Sequence, residues 1–336
     1  MPQSDLSHRS PSSRTEPCDL CRGTEFQVLA TQDRKGTPLV TVVCRTCGLV
    51  AHEVIPSDEE LDRYYEVDYR REYHNEFTPA SHRVMRAWEG GKWLHRLLAP
   101  LIPPDAHVCE IGAGIGCTVK VLERAGWNAV GIEPGLGFQQ FAQEKLNARV
   151  TRQSLFELTS EPQFDFLLLV HVIEHFRSPR QALTHMRSLL RPEGRIYVEC
   201  PNLAAPHAAP GKQFHFAHIH NFTPRTLTWL AASCGLQVYA CLADSREGVL
   251  RFVFSRVEET ATLDFQDGYA ETMELLTRQS RLTYYTRPEY LWGRVARDVR
   301  FFSNRFLAKQ RVTRLIEQCR LETNQEVGTT APRRAA

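Results

Sequence analysis

No stretch of this 336-residue chain approaches the run of about eighteen apolar residues that a membrane span requires. A dominant charge is also missing. There are 41 basic and 39 acidic side chains, and a formal net charge of +2 argues against a surface devoted to phosphate contacts, and so against nucleic acid as a partner. The opening segment, Met1 to Glu16, is rich in Ser and Pro and has no apolar core, so it does not read as a signal peptide. It reads as a disordered lead-in, with residues 324–336 as a matching tail. Ten cysteines without a secretion signal are expected to be reduced thiols or metal ligands, which points to the cytosol. A composition 42% apolar and 24% charged suits one globular domain of ordinary size with smaller attachments.

One further absence is more specific. A dinucleotide-binding fingerprint, Gly-x-Gly-x-x-Gly, would need glycine at position 117, which is Cys117. What is present is Val108-Cys-Glu-Ile-Gly-Ala-Gly-Ile-Gly116, between an apolar strand (Ala106 to Ile111) and a helix (Cys117 to Arg124). A second apolar strand, Asn128 to Ile132, ends on Glu133. Glycines let the backbone turn approach a ligand, and a helix start offers it N–H groups. An acid at the strand tip can accept hydrogen bonds from ribose hydroxyls. Together these residues describe an adenosine site.

Glu110-x-Gly112-x-Gly114-x-Gly116 resembles motif I of the class I S-adenosylmethionine-dependent methyltransferases. The resemblance runs from about Trp88 to Val257 and takes in Phe164 to His171 and Arg191 to Glu199 as the fourth and fifth strands of that family's domain. It implies a Rossmann-like, doubly wound α/β fold. S-adenosylmethionine would lie on Glu110, Gly112, Gly114 and Gly116, with its ribose on Glu133 and its adenine near Ser154 and Leu155. The Asp often found at that last place is absent here.

Cys18-Asp-Leu-Cys21 and Cys44-Arg-Thr-Cys47 form two C-x-x-C pairs, and two such knuckles can close a tetrahedral thiolate site around structural zinc. The strands expected between them are Phe26 to Ala30 and Leu39 to Val43. About forty residues bury too little core alone, so a metal would supply stability. The rival reading, a redox dithiol, usually has one C-x-x-C beside a βαβ unit. Residues 18–60 carry only Arg22, Arg34, Lys35 and Arg45 as basic side chains, a poor phosphate-binding surface. The segment resembles the cysteine-rich module of bacterial methyltransferases, sugar C-methyltransferases among them. Tyr64, Tyr65, Tyr69 and Tyr73 follow at helix-compatible spacing, and either pack a linker helix or line a substrate entrance.

Methyl transfer from a sulfonium is an in-line displacement, so the protein must position the acceptor and help remove a hydroxyl proton. His171-Val-Ile-Glu174-His175 follows the fourth strand, where one helical turn would put His171, Glu174 and His175 on one face. A second cluster, His215, His218 and His220, precedes Thr223, the expected N-cap of a helix from Arg225 to Cys234. H-x-x-E-H also occurs in inverzincin proteases, but there on a helical scaffold. Two readings stay open. In the first, His171, His175 or His220 is a metal-free general base, since histidine titrates near neutrality. In the second, His171, Glu174 and His175, with His220 as a fourth ligand, hold Mg²⁺ or Mn²⁺. That reading follows a resemblance to the E-x-x-E-H segment of ubiquinone-pathway O-methyltransferases and small-RNA 2′-O-methyltransferases.

The expected order is a zinc ribbon (17–56), a helical linker (57–100), the methyltransferase domain (101–257) and a helical extension (258–323). Val257 to Glu274 carries six acids and no basic residue, whereas Arg278 to Arg320 has eleven basic residues and three acids. Leu291, Val295, Val299, Phe302 and Phe306 recur at helical spacing beside Arg294, Arg297, Arg300 and Arg305. Such a basic amphipathic helix either packs on the domain or contacts an anionic membrane surface. The first expectation for function is methylation of a small molecule, a sugar, sugar nucleotide or glycan-like intermediate. The alternatives are a metal-assisted O-methyltransferase of RNA or a phenol, and a non-catalytic adenosyl-ligand or zinc-scaffold protein.

Overall fold

The structure, a computed structural model, describes residues 12–63, 79–159, 161–205, 212–243, 248–258, 262–278 and 308–322. The tyrosines at 64–73 and the apolar stripe at 291–306 lie outside the described residues. No described helix is long and apolar enough to cross a membrane.

The cysteine-rich segment forms three strands, β1 (Phe26–Gln32), β2 (Pro38–Cys44) and β3 (Val50–His52). Asp33 turns the chain between β1 and β2, its Oδ1 accepting from the amides of Lys35 and Thr37, each at 2.8 Å. The strands pair antiparallel, and β3 continues onto β9 (His220–Asn221), so one four-stranded sheet has the order β1-β2-β3-β9. Strands β1 and β2 run slightly past the expected limits because irregular pairing after Val28 lets the ladder continue to Gln32 and Pro38. A short helix, α1 (Asp58–Arg63), follows β3.

The larger sheet has seven strands in the order β10-β11-β8-β7-β4-β5-β6. Its members are β4 (His107–Ile111), β5 (Asn128–Ile132), β6 (Val150–Thr151), β7 (Phe164–Val170), β8 (Leu190–Pro201), β10 (Leu236–Cys241) and β11 (Val249–Arg256). β4, β5 and β6 are parallel, while β11 is antiparallel to both its neighbours. This is the doubly wound, Rossmann-like α/β arrangement expected from the sequence. Phe166 to Leu169 in β7 are fully buried, as befits a continuous apolar run in a strand covered on both faces.

The helices are α2 (Ser81–Leu98), α3 (Cys117–Arg124), α4 (Leu136–Leu146), α5 (Pro179–Leu189), α6 (Pro224–Ser233), α7 (Gly268–Thr277) and α8 (residues 308–322). Val84, Trp88, Gly91, Leu94 and Leu98 form the buried stripe of α2. A Cβ at Gly91 would stand 3.0 Å from the Cα of Thr118, so α2 and α3 meet almost backbone to backbone. Thr223 caps α6 as expected, its Oγ1 accepting from the Thr226 amide at 3.2 Å. The C-terminal extension is helical in α7 and α8, and α8 buries Ala308, Val312, Leu315 and Cys319.

Contacts divide the chain into two compact units. One comprises β1–β3, most of β7, β8–β11 and α5–α7. The other comprises α2–α4, β4–β6, the start of β7 and α8.

Candidate active site

In the second unit the chain leaves β4 through three glycines with positive φ, 70° at Gly112, 53° at Gly114 and 73° at Gly116. At Gly116 the chain enters α3, and a Cβ there would stand 2.7 Å from that of Ala142. At Gly114 a Cβ would meet nothing within 4 Å among the described residues, so there its smallness leaves space rather than permitting packing. Glu133, at the tip of β5, accepts from the Gly114 amide at 2.9 Å through Oε2 and from the Gly135 amide at 2.8 Å through Oε1. Each oxygen keeps a lone pair for a further donor. Burial raises its pKa, and those two amides oppose the rise. Glu110 is also buried, and burial pushes it up to about 8. Its Oε2 has no hydrogen-bond partner among the described residues. Open space beside a glycine, an orphaned carboxylate oxygen and a second positioned carboxylate fit an adenosyl ligand with an ammonium group and ribose hydroxyls. Ser154 caps a short 3₁₀ turn, Leu155–Glu157, its amide donating to Glu157 at 2.6 Å, and Leu155 is buried.

In the first unit, β7 ends at Val170 and is followed by His171, whose φ of 55° turns the chain toward a 3₁₀ turn, Ile173–His175. The His171 amide donates to the Glu199 carbonyl at 2.8 Å. Glu174 is 1% exposed, and neither carboxylate oxygen has a hydrogen-bond partner among the described residues. Its Oε1 lies 3.6 Å from His171 Nδ1 and 3.9 Å from both His175 Nε2 and His218 Nε2. These are ion-pair distances, beyond hydrogen-bond range. His175 Nδ1 stands 2.6 Å from the Ala217 carbonyl and must donate to it, so that in the neutral ring the lone pair lies on Nε2. Burial lowers the pKa of His218 strongly, with His175 and His215 adding to the effect, and takes His215 down to about 3. His171 behaves differently. Burial pulls it down, yet Glu174 and Glu199 together push it up to about 9.

Glu199, on β8, stands 3.3 Å from His171 Nε2 through Oε1. Its Oε2 accepts from Tyr197 Oη at 2.6 Å and from Arg251 Nε at 2.8 Å. Against the effect of burial, those donors and His171 hold Glu199 down at about 2. His220 has another setting. It is fully buried, its Nδ1 faces the Phe176 carbonyl at 3.2 Å, and burial lowers it to about 3. The structure therefore brings His171, Glu174, His175 and His218 together, while His220 is not among the groups around Glu174 Oε1.

Cys18, Cys21, Cys44 and Cys47 also converge, with Sγ–Sγ separations of 3.5 Å (Cys18–Cys47) and 3.4 Å (Cys21–Cys44). Four thiolates about 2.3 Å from a tetrahedral ion would stand roughly 3.8 Å apart, so the set fits zinc, and these distances exclude disulfides.

Residues 80–240 match the family model described as a methyltransferase domain. The chain carries a class I S-adenosylmethionine-dependent methyltransferase domain. An uncharacterized protein of Mycobacterium tuberculosis is 32% identical over 124 residues, 34% of this chain and 42% of that relative. A protein of Alkaliphilus oremlandii named an uncharacterized methyltransferase is 29% identical over 92 residues, 26% of this chain and 43% of that relative. The chain thus aligns with less than half the length of each. Among solved structures, the 1,6-didemethyltoxoflavin-N1-methyltransferase of Burkholderia thailandensis aligns over 62% of this chain and 96% of its own, at 19% identity and a TM-score of 0.45.

Sequence reasoning assigned no role in this methyltransferase domain to Tyr197, Glu199 or Arg251. A signal was present. Tyr197 and Glu199 alternate on one face of an otherwise apolar strand, where a carboxylate demands a partner. That partner, Arg251, is directly opposite Glu199 in the β8–β11 register, a pairing invisible without the sheet.

Proposed function

We propose that this chain transfers the methyl group of S-adenosylmethionine to a small hydroxylated acceptor, of the sugar, sugar-nucleotide or glycan-like class. Glu110, the loop Gly112–Gly116 and Glu133 hold the donor, whose sulfonium supplies an electrophilic methyl group. The observation carrying the acceptor side is the buried Glu174 carboxylate, without a hydrogen-bond partner among the described residues and ringed by three imidazoles. His175 is the general base: its Nδ1–H is committed to Ala217, so Nε2 takes the proton of the acceptor hydroxyl as oxygen attacks the methyl carbon. The carbon–sulfur bond breaks as the carbon–oxygen bond forms, leaving a neutral thioether. The proton stays on His175, where Glu174 offsets the new positive charge. His171, already cationic between Glu174 and Glu199, orients that acid and is not itself the base. His220 supports the loop from which His218 projects.

Incubation with labelled S-adenosylmethionine and panels of sugar nucleotides, lipid-linked glycans and RNA tests this reading. Label in the sugar panel is the expected result, and label in RNA alone would overturn it. Incorporation into any acceptor would also dispose of a purely ligand-binding or scaffold role.

A second reading is favoured by one observation: Glu174, His175 and His218 converge closely enough to share a single divalent ion. Mg²⁺ or Mn²⁺ there would polarise the acceptor oxygen, as in a metal-assisted O-methyltransferase of a phenolic hydroxyl or RNA. Activity lost on EDTA treatment and restored by Mg²⁺ or Mn²⁺, with the thiolate-bound metal retained, would select it.

A further inference from the structure

The cysteine ribbon and the histidine cluster lie in the same compact unit, and the bonds between them follow a pattern. Asp19 sits inside the first knuckle, between Cys18 and Cys21. Its carboxylate accepts from Ser178 Oγ at 2.7 Å and from the Arg180 amide at 2.8 Å, at the start of α5. The Arg180 guanidinium returns to the knuckle, donating to the Asp19 carbonyl at 2.7 Å and to that of Leu20. The knuckle therefore grips the chain three residues beyond His175.

The other end of the ribbon grips the second histidine segment. Strand β3 pairs with β9, with Ala51 opposite His220. His52, fully buried, donates from Nε2 to the Phe216 carbonyl at 2.9 Å, and its amide donates to the Ile219 carbonyl at 2.9 Å. The Arg34 amide donates to the Phe214 carbonyl at 2.8 Å, and Lys212 Nζ to the Arg34 carbonyl at 2.7 Å. His218 thus hangs from a loop tied at 214, 216 and 219 to the ribbon, while Glu174 and His175 precede a helix start tied to Asp19.

We infer that the four-cysteine ribbon is a positioning element for the histidine cluster: Asp19 holds the Glu174–His175 turn and His52 holds the His218 loop, so the two halves face each other only while the ribbon is folded around its metal. A small sheet with four thiolates converging on one point has little core of its own, and metal binding there is folding free energy. Loss of the metal then releases both grips at once. The glycine loop belongs to the other unit and keeps its own supports. On this view the ribbon governs acceptor chemistry and leaves donor binding alone.

Histidine accessibility tests this without any acceptor. The purified metal-loaded protein is treated with diethyl pyrocarbonate, and carbethoxylation of each histidine is followed by peptide mass mapping, with His95 on α2 as the internal reference. Affinity for S-adenosylmethionine is measured in parallel by calorimetry. In Asp19→Ala, and in wild type stripped of thiolate-bound metal, His175 and His218 should react at least threefold faster relative to His95. Donor affinity should stay within about twofold. Asp19→Asn, which keeps one acceptor oxygen, should fall between Asp19→Ala and wild type. Unchanged reactivity in both the variant and the stripped protein would overturn the inference. A parallel loss of donor affinity would overturn it too, because the ribbon would then support the whole fold. Wild type that binds no donor would instead contradict the proposed function, leaving the reactivity ratio to judge the ribbon.

Discussion

The proposed donor cradle and the histidine cluster are built in opposite ways. The cradle is local: Glu110, the three glycines, Glu133 and Gly135 lie within one strand–loop–helix–strand unit, and its key contacts are backbone amides on a carboxylate. The cluster is assembled from afar, from the end of β7, the middle of β8, Arg251 on β11 and the loop before β9. Local construction resists distant mutation. Assembly from afar is sensitive to anything that shifts one contributor by an ångström.

The sharpest way to break this contrast is Glu174→Gln. Methyl transfer should fall by about 10²–10⁴-fold, the usual worth of acid–base machinery, while donor affinity measured by calorimetry changes less than twofold. Equal losses in both would mean that the two regions are not separable. Next in size is Gly116→Ala, where a new Cβ would meet Ala142 and a left-handed φ is imposed on a side chain. It should cost about 2–4 kcal/mol, read as a fall in melting temperature. Gly114→Ala sharpens the contrast within the loop, since its Cβ meets no described residue within 4 Å. It should cost only about 1 kcal/mol of stability and yet weaken donor binding, because the added methyl stands where the ligand would lie. If it binds the donor like wild type, Gly114 does not face the ligand.

The most gradual expected effect, spread over pH, concerns Glu199. Its pKa is held at about 2 against an ordinary 4.5, so it stabilises the fold above about pH 4.5, and that contribution is lost as pH falls toward 2. The difference in unfolding free energy between wild type and Glu199→Gln should be about 2 kcal/mol at neutral pH and narrow steadily below pH 4.5. A gap of constant size across that range would show that Glu199 acts through shape rather than charge.

Legibility in the sequence follows the same divide. Helix α3 and strand β5 have the limits expected from the pattern alone, because strand, glycines, helix and acid are consecutive. The two C-x-x-C pairs likewise announced a convergence that the folded chain contains. Of the loop histidines, the pattern singled out His220, whereas the one beside Glu174 is His218. An irregular loop has no period from which to read direction. Nor did it reveal that the ribbon shares a sheet with β9, since that pairing joins residues about 170 apart.

The position of β9 beside β3 bears on where this protein can be cut. Residues 80–240, the span of a methyltransferase domain by sequence matching, would leave out the ribbon and β11 alike. Strand β9 would lose its neighbour, the start of α5 would lose Asp19, and β8 and β10 would lose the strand that lies between them. An expression fragment with those limits exposes raw strand edges and should aggregate. The smallest fragment worth making starts before Cys18 and runs beyond Arg256.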